Sequence, residues 1–432
     1  MYGGIPVLKS FKIKNAYSFF DECVVDMEAT NIKAHGYSLI TSETNGHVPE
    51  NLSLLPVLSI YGANASGKTN LLRALLFIFH SITTGQGRHI YSNIFKGFDS
   101  LDSSDSFVDD VIFEMTFLLN KNEYILSFDA LMNEYYNESL CYRKNSKGKK
   151  LSIYNRKWNK KNKTWSIRIG STIDTEVINE IEYVDSMEKS NATLLIYALS
   201  KRGNHELFLS IASWASRFMS TASPIVDNFG GTFFCTDESN PHLKVYYDDS
   251  YKEKILEFVR SMNPLIQDYI FTKDKNNEKQ KMNYKLEFEY DRKPVFNEED
   301  KIYDKLLTIF ESRGVYSAMT LLPSVLLALE TGGLVIADEL ENSLHPHLMV
   351  KVINLFTDPD INTGGGQLIF TTHNALIMDK RYLRQDEIGF VEKDDEGLSE
   401  FYKLSDVDGV RSDLDFCKNY ILGAFGAIPK ID

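Results

Sequence analysis

The sequence predicts an α/β fold of the P-loop NTPase kind, and three observations predict it. The stretch from Leu58 to Asn70 carries G-x-x-x-x-G-K-S/T, with Gly62, Gly67, Lys68 and Thr69 in the fixed places. An apolar run, Leu55 to Ile60, precedes it, and Leu71, Leu72, Leu75, Leu76 and Ile78 follow at helical spacing. Far downstream a second apolar run, Leu334-Val335-Ile336-Ala337, ends in the carboxylate pair Asp338-Glu339.

Each part has a chemical reason. Glycine lets the backbone wrap a phosphate where a Cβ would clash. Successive N–H groups and the positive end of the next helix then face the anion. Lys68 reaches the β- and γ-phosphates, and the Thr69 hydroxyl is placed to ligate Mg²⁺. The expected nucleotide-binding residues are Gly62, Ala63, Asn64, Ala65, Ser66, Gly67, Lys68, Thr69 and Asn70. Hydrolysis needs one carboxylate near Mg²⁺ and a second to orient or deprotonate water. Asp338 takes the metal position with Thr69, and Glu339 that of the general base. His373 directly follows another apolar run, Gln367 to Thr371, where it can touch a γ-phosphate. Lys68, Glu339 and His373 form the expected catalytic set, with ATP and Mg²⁺ as cofactors.

Length and composition set the frame. The chain has 432 residues, room for two or three domains, and an ordinary hydrophobic content of 43%. No apolar run approaches ~20 residues, so no transmembrane helix and no membrane partner is expected. The N-terminus lacks the regions of a signal peptide. Cys23, Cys141, Cys235 and Cys417 are scattered, which suits a reducing cytoplasm and argues against a zinc site or disulfide framework. A net charge of −13 opposes bulk attraction to nucleic acid but leaves room for a local basic face.

Taken in order, residues 7–30 alternate like two strands of a hairpin. A polar loop, 31–54, leads to the glycine-loop strand, and its helix runs to about Ile82. A loop with an acidic Ser-rich stretch extends from Gly85 to Asp110. Two strands, 111–118 and 124–130, follow. Residues 139–173 hold eleven cations and no carboxylate. Within them 151–153 and 165–169 alternate like a hairpin across Asn159 to Lys163. From 174 to 221 the pattern is helical, and 251–262 is an amphipathic helix. A loop at 273–281 and a strand at 284–290 complete this part. Then come a helix around 323–329 and strands at 334–337, 367–371, 388–391 and 401–404. The expected organisation is residues 1–135 as the first part of an ATPase domain, 136–300 as an inserted, mostly helical α+β subdomain, and 301–432 as its second part. The N-terminal part is antiparallel β.

The motifs in order resemble the ABC-type ATPases of the SMC and RecF kind. They are the glycine loop, Ser312-Arg313-Gly314, Asp338-Glu339, Leu344-His345-Pro346 and Thr372-His373-Asn374. More closely, the chain resembles the stand-alone bacterial ATPases of the abortive-infection, RloA-like group. Asn15 to Phe19 and the ending Gly423 to Pro429 join that likeness. The resemblance implies an ATP-sandwiched homodimer or higher oligomer. Ser312 and Gly314 would be the signature element reaching the partner's γ-phosphate, Asn342 to Pro346 the loop between the two sites, and His373 the switch histidine. It also implies anti-phage defence beside a separately encoded effector. The residues after His373 are too few for an appended nuclease, so that effector is expected in trans.

Other readings remain open. The basic stretch 143–168 can hold phosphates of nucleic acid, with Trp158 and Trp165 stacking on bases, or it is a solvated hairpin with its tryptophans facing the core. The first favours a DNA-repair or DNA-tethering ATPase. A scaffold that binds ATP without hydrolysing it is a third reading. His345 and His347, with no further His or Cys nearby, read as loop residues rather than metal ligands. Gln86, set between glycines, is assigned no role.

Overall fold

The computed structural model describes residues 5–85, 111–131, 134–217, 219–220, 232–235, 245–273, 282–290, 311–342, 344–411 and 414–429. Gln86, nearly all of the expected 85–110 loop and most of the 273–281 loop lie outside them.

The first strands, β1 (Val7–Lys14) and β2 (Cys23–Asp26), pair antiparallel with Phe11 opposite Val25. The chain then enters β3 (Val57–Tyr61), buried at every residue, and leaves the glycine loop as α1 (Lys68–Thr84). Leu71, Leu72, Leu75, Leu76, Ile78 and Phe79 of α1 are buried on all sides, as in a helix enclosed by other layers.

Next come β4 (Val111–Leu119), β5 (Asn122–Leu131), β6 (Glu134–Arg143), β7 (Leu151–Asn159) and β8 (Thr164–Ile169). With β1 and β2 they form one antiparallel sheet in the order β2-β1-β4-β5-β6-β7-β8. The sheet crosses residue 135 unbroken, with Leu126 opposite Leu140. β6 escapes an alternation search because its inward face carries Glu138, a carboxylate where an apolar residue is expected. Glu138 accepts from the N–H groups of Leu195 (2.6 Å) and Ile196 (2.8 Å) and from the Tyr154 hydroxyl (2.8 Å). It thereby caps the second of the helices α2 (Thr175–Met187), α3 (Leu195–Arg202) and α4 (Glu206–Ser216). These helices share one core with α1 and the sheet. Phe77 lies 4.8 Å from Phe113 and Phe79 lies 5.0 Å from Trp214, between ring centroids.

The chain continues through β9 (Met219–Ser220), β10 (Thr232–Cys235), α5 (Asp249–Arg260), β11 (Ile266–Lys273) and β12 (Met282–Tyr290). The strands β10-β12-β11 make a small antiparallel sheet. Then α6 (Arg313–Thr331) arrives. Its 19 residues are long and apolar enough to cross a membrane by length and composition, and 67% of its most apolar 18-residue stretch is buried in the protein, as in a core helix. Pro323 inside it has no N–H for the carbonyl of Met319. The Tyr246 hydroxyl donates to that carbonyl at 2.6 Å instead.

The last elements are β13 (Leu334–Ala337), α7 (Pro346–Thr357), β14 (Gln367–Thr371), β15 (Ile388–Lys393), β16 (Ser399–Lys403) and α8 (Phe416–Ile421). They join β3 and β9 in a sheet of order β16-β15-β3-β14-β13-β9, parallel except at β16. Its central strands are buried on both faces, hence their unbroken apolar runs. Gln367 ties the two sheets together. Its amide accepts from the Leu8 N–H (2.9 Å) and donates to the carbonyls of Leu8 (3.0 Å) and Leu55 (3.2 Å).

A buried charge cluster closes the edge below β3. Arg384 and Asp386 are fully buried and paired at 2.8 Å, and Arg384 also donates to the carbonyls of Thr30 and Ile32. Next to them burial pushes the Glu387 carboxyl up to about 8, despite Arg384 and Lys403. This group is neutral in the fold and ionised in the unfolded chain around neutrality. Its contribution to stability is therefore full below pH ~4.5 and is lost as pH rises through about 8. Glu387→Gln is expected to flatten that fall. Calorimetric melting at pH 5 and pH 8 measures it; an unchanged difference between the two would show that Glu387 is ionised in the fold.

Candidate nucleotide-binding site

The parallel sheet brings the motifs to one edge. Leu58 of β3 pairs with Ile369 of β14, and Ile369 with Ile336 of β13. The C-terminal ends of these strands are Tyr61, Thr371 and Ala337, so Gly62, Thr372 and Asp338 emerge side by side. Crevices at such strand ends are where open α/β sheets hold ligands.

The glycine loop is shaped for close approach. Gly62 has φ 153° and Gly67 φ 113°. A Cβ at Gly62 would stand 2.3 Å from the Val391 carbonyl, and one at Gly67 2.5 Å from the Ser399 hydroxyl. Asn64 and Ala65 form the exposed crown, with Ala65 also left-handed at φ 61°. The Lys68 ammonium folds over its own loop, donating to the carbonyls of Gly62 and Ala63, each at 2.9 Å. Burial lowers its pKa while Asp338, Glu341 and Glu339 oppose that shift. Ser66 Oγ is buried and bonds to nothing among the described residues.

Behind the loop lies a brace that the motif does not announce. Ser399 Oγ lies 2.6 Å from the Ser66 carbonyl and 2.8 Å from Ser18 Oγ, and Asn70 Nδ2 donates to Ser18 Oγ at 3.1 Å. So Asn70, counted among the nucleotide-binding residues, spends its amide on Ser18.

The carboxylate pair is held from the neighbouring strand. Thr371 Oγ1 donates to Asp338 Oδ1 at 2.6 Å and accepts the Glu339 N–H at 2.7 Å. Glu339 is exposed, at φ 51°. Glu341 Oε1 accepts the N–H of His373 at 2.6 Å, while its Oε2 is buried without a partner among the described residues. The His373 ring is exposed. Sequence reasoning missed Thr371, Glu341, Ser18 and Ser399. Thr371 and Ser18 lie inside stretches that the sequence singled out, but only the fold reveals their contacts.

Ser312 is the N-cap of α6, and Gly314 is buried in its first turn. Ser312 is exposed, and its hydroxyl accepts the Val315 N–H of its own helix at 3.3 Å. His345 does similar work: its Nδ1 accepts the His347 N–H at 3.3 Å at the start of α7.

The residues fit a nucleotide with its cation. The cradle excludes side chains, the Lys68 ammonium folds back over it, and carboxylates outnumber Lys68. Among the described residues no three His, Cys, Asp or Glu side chains converge to hold a metal unaided. Mg²⁺ commonly binds through one or two carboxylates plus substrate phosphates, so it suits this donor set as a companion of the nucleotide.

Residues 57–184 and 260–379, more than half of the chain, match the family described as "AAA domain, putative AbiEii toxin, Type IV TA system". The chain belongs to this family. It is thus an ATP-binding P-loop ATPase by family, and the abortive-infection resemblance of its motifs agrees. No curated protein matches it. Among solved structures, the SMC head domain from Thermotoga maritima is similar at 13% identity and TM-score 0.39, covering 92% of this chain and 98% of that one. An SmcHead bound to the C-winged helix domain of ScpA is similar at 11% identity and TM-score 0.42, covering 92% and 97%.

Two variants test the local supports. Thr371→Val keeps the shape but removes both hydrogen bonds. It is expected to cut ATP turnover at least tenfold with nucleotide affinity within twofold, and to cost about 1–2 kcal/mol of stability. Wild-type turnover in that variant would show that Asp338 and Glu339 need no support from β14. Ser399→Ala frees the Ser66 carbonyl and is expected to weaken nucleotide binding about fivefold, roughly one hydrogen bond. Titration with a fluorescent ATP analogue reads this, and unaltered affinity would exclude the brace.

Proposed function

We propose that the chain hydrolyses ATP, that its protomers close in pairs over the nucleotide, and that closure gates a separately encoded nuclease or toxin in bacterial anti-phage defence. The observation that carries the hydrolytic part is the Thr371 hydroxyl bonded both to Asp338 and to the Glu339 N–H beside the glycine loop.

In this reading Gly62 to Asn70 hold the phosphates, with Lys68 turning from its own carbonyls to the β- and γ-oxygens. Thr69 and Asp338 hold Mg²⁺. The ion would neutralise charge on the β- and γ-phosphates. Glu339 takes a proton from the attacking water, and His373 contacts the γ-phosphate. Ser312 and Gly314 serve the partner protomer. Support for pairing comes from the exposure of Ser312 and Arg313 at the start of α6, while Gly314 behind them is buried. Residues 1–135 and 301–432 act as the ATPase domain and 136–300 as its insertion. Support for an effector comes from the family's description, which names a toxin and a toxin–antitoxin system. A cytoplasmic setting suits the free thiols Cys23, Cys141 and Cys417.

Glu339→Gln is expected to lower turnover at least a hundredfold, on the order of a lost general base, and to accumulate an ATP-bound dimer. Light scattering after gel filtration with ATP and Mg²⁺ would detect that dimer. Lys68→Ala is expected to abolish nucleotide binding. Turnover by Glu339→Gln at the wild-type rate would remove Glu339 from the base role. A wild-type protein that binds ATP without turnover would leave a scaffold.

A further inference from the structure

The basic stretch divides cleanly in the fold. Arg143 pairs with Glu123 at 2.7 Å, and the fully buried Arg156 lies 2.7 Å from Asp185. The Lys160 ammonium sits over the Tyr136 ring at 4.2 Å. The other eight cations are exposed and form no ion pair with a described residue. Lys144, Lys147, Lys149 and Lys150 cluster at the turn before β7. Lys157, Lys161 and Lys163 lie toward its other end, and Arg168 faces outward from β8.

The pleat sorts the rest. Tyr154, Arg156 and Trp158 of β7 point one way, opposite Ile169, Ile167 and Trp165 of β8. That face meets the helices: Arg156 lies over the Trp165 ring at 4.1 Å, and Trp165 Nε1 donates to the Ser190 carbonyl at 3.0 Å. Trp158 packs edge-on against Trp165, centroids 5.3 Å apart. The opposite face shows Asn155, Lys157, Ser166 and Arg168, with no carboxylate from Ser139 to Ile173. β8 ends the sheet, so no described strand covers this edge.

We propose that this edge binds double-stranded nucleic acid through its phosphate backbone, without reading sequence. Charge selects a polyanion, because the eight exposed cations stand unneutralised on a chain of net charge −13. Length selects a duplex. The two lysine clusters flank the nine residues of β7, about 30 Å at ~3.3 Å per residue, against ~34 Å for one duplex turn. The tryptophans argue the same way. Single-strand binders need aromatic platforms free to stack on bases, and Trp158 and Trp165 are engaged with each other, with Arg156 and with Ser190.

The test uses the full chain and a fluorescein-labelled 30-base-pair DNA duplex of arbitrary sequence, read by anisotropy. Binding is expected at 50 mM KCl and should weaken roughly a hundredfold at 200 mM for about four phosphate contacts. The quadruple variant Lys157→Glu, Lys161→Glu, Lys163→Glu, Arg168→Glu should lose at least tenfold in affinity. The exposed side chains it changes touch neither the core nor the glycine loop, so its melting temperature and ATP turnover should stay at wild type. A second variant with Lys144, Lys147, Lys149 and Lys150 changed to Ser should lose affinity from the other end. The proposal falls if wild type does not bind the duplex at 50 mM KCl, if neither variant weakens binding, or if a 30-nucleotide single strand binds as tightly as the duplex.

Discussion

The hydrogen bond from Ser399 to the Ser66 carbonyl, 2.6 Å long, governs the shape of the glycine loop. In a trans peptide the carbonyl and the following N–H point in opposite directions. Holding the Ser66 carbonyl behind the loop therefore aims the Gly67 N–H forward, into the cradle. The same hydroxyl meets Ser18, so three distant segments fix one peptide plane. Gly67 must be glycine for this to work, because its Cβ would overlap both serines. The loop is set before any anion arrives, and binding then costs little ordering of the backbone.

That preset loop matters only because the sheet places acid beside it. β14 lies between the glycine-loop strand and the carboxylate strand, and its Thr371 spans the gap. A shared hydroxyl here does two jobs. It orients the Asp338 carboxylate, and it satisfies the N–H of Glu339 at a turn where a left-handed φ costs roughly 1 kcal/mol. The strain is offset locally, and Glu339 is left exposed at the end of the carboxylate strand.

The hydrophobic periods made most of this fold legible. Fully apolar strands around Ile60, Ile336 and Ile369 announced a buried parallel sheet, and a glycine loop between strand and helix announced its ligand edge. What stayed hidden was polar and non-local. β6 was missed because Glu138 occupies a core position that makes sense only once α3 presents its N-terminus. Ser18 and Ser399 are 381 residues apart, and no local pattern couples them. For Trp158 and Trp165 the sequence offered two readings, stacking on bases or facing the core, and could not choose between them. The register of β7 and β8 turns both toward the helices. Asn70 sits inside a binding motif yet serves the brace.

The same geometry says where movement can enter. The Gln367 amide joins the two sheets, and Arg384 and Asp386 tie the turn before β15 to Thr30 and Ile32 of the segment after β2. The free ends are the turns after β13 and β14. Glu341 joins them, since its carboxylate holds the His373 N–H while its second oxygen remains unpartnered among the described residues. Lys68 feels that same carboxylate. The ammonium that folds over the glycine loop therefore shares its field with the carboxylate that holds the His373 turn. Directly after Glu341 the chain runs into α7, whose first turn is capped by His345. The glycine loop, the carboxylate pair and the His373 turn are thus joined through Lys68 and Glu341 at the ends of three adjacent strands.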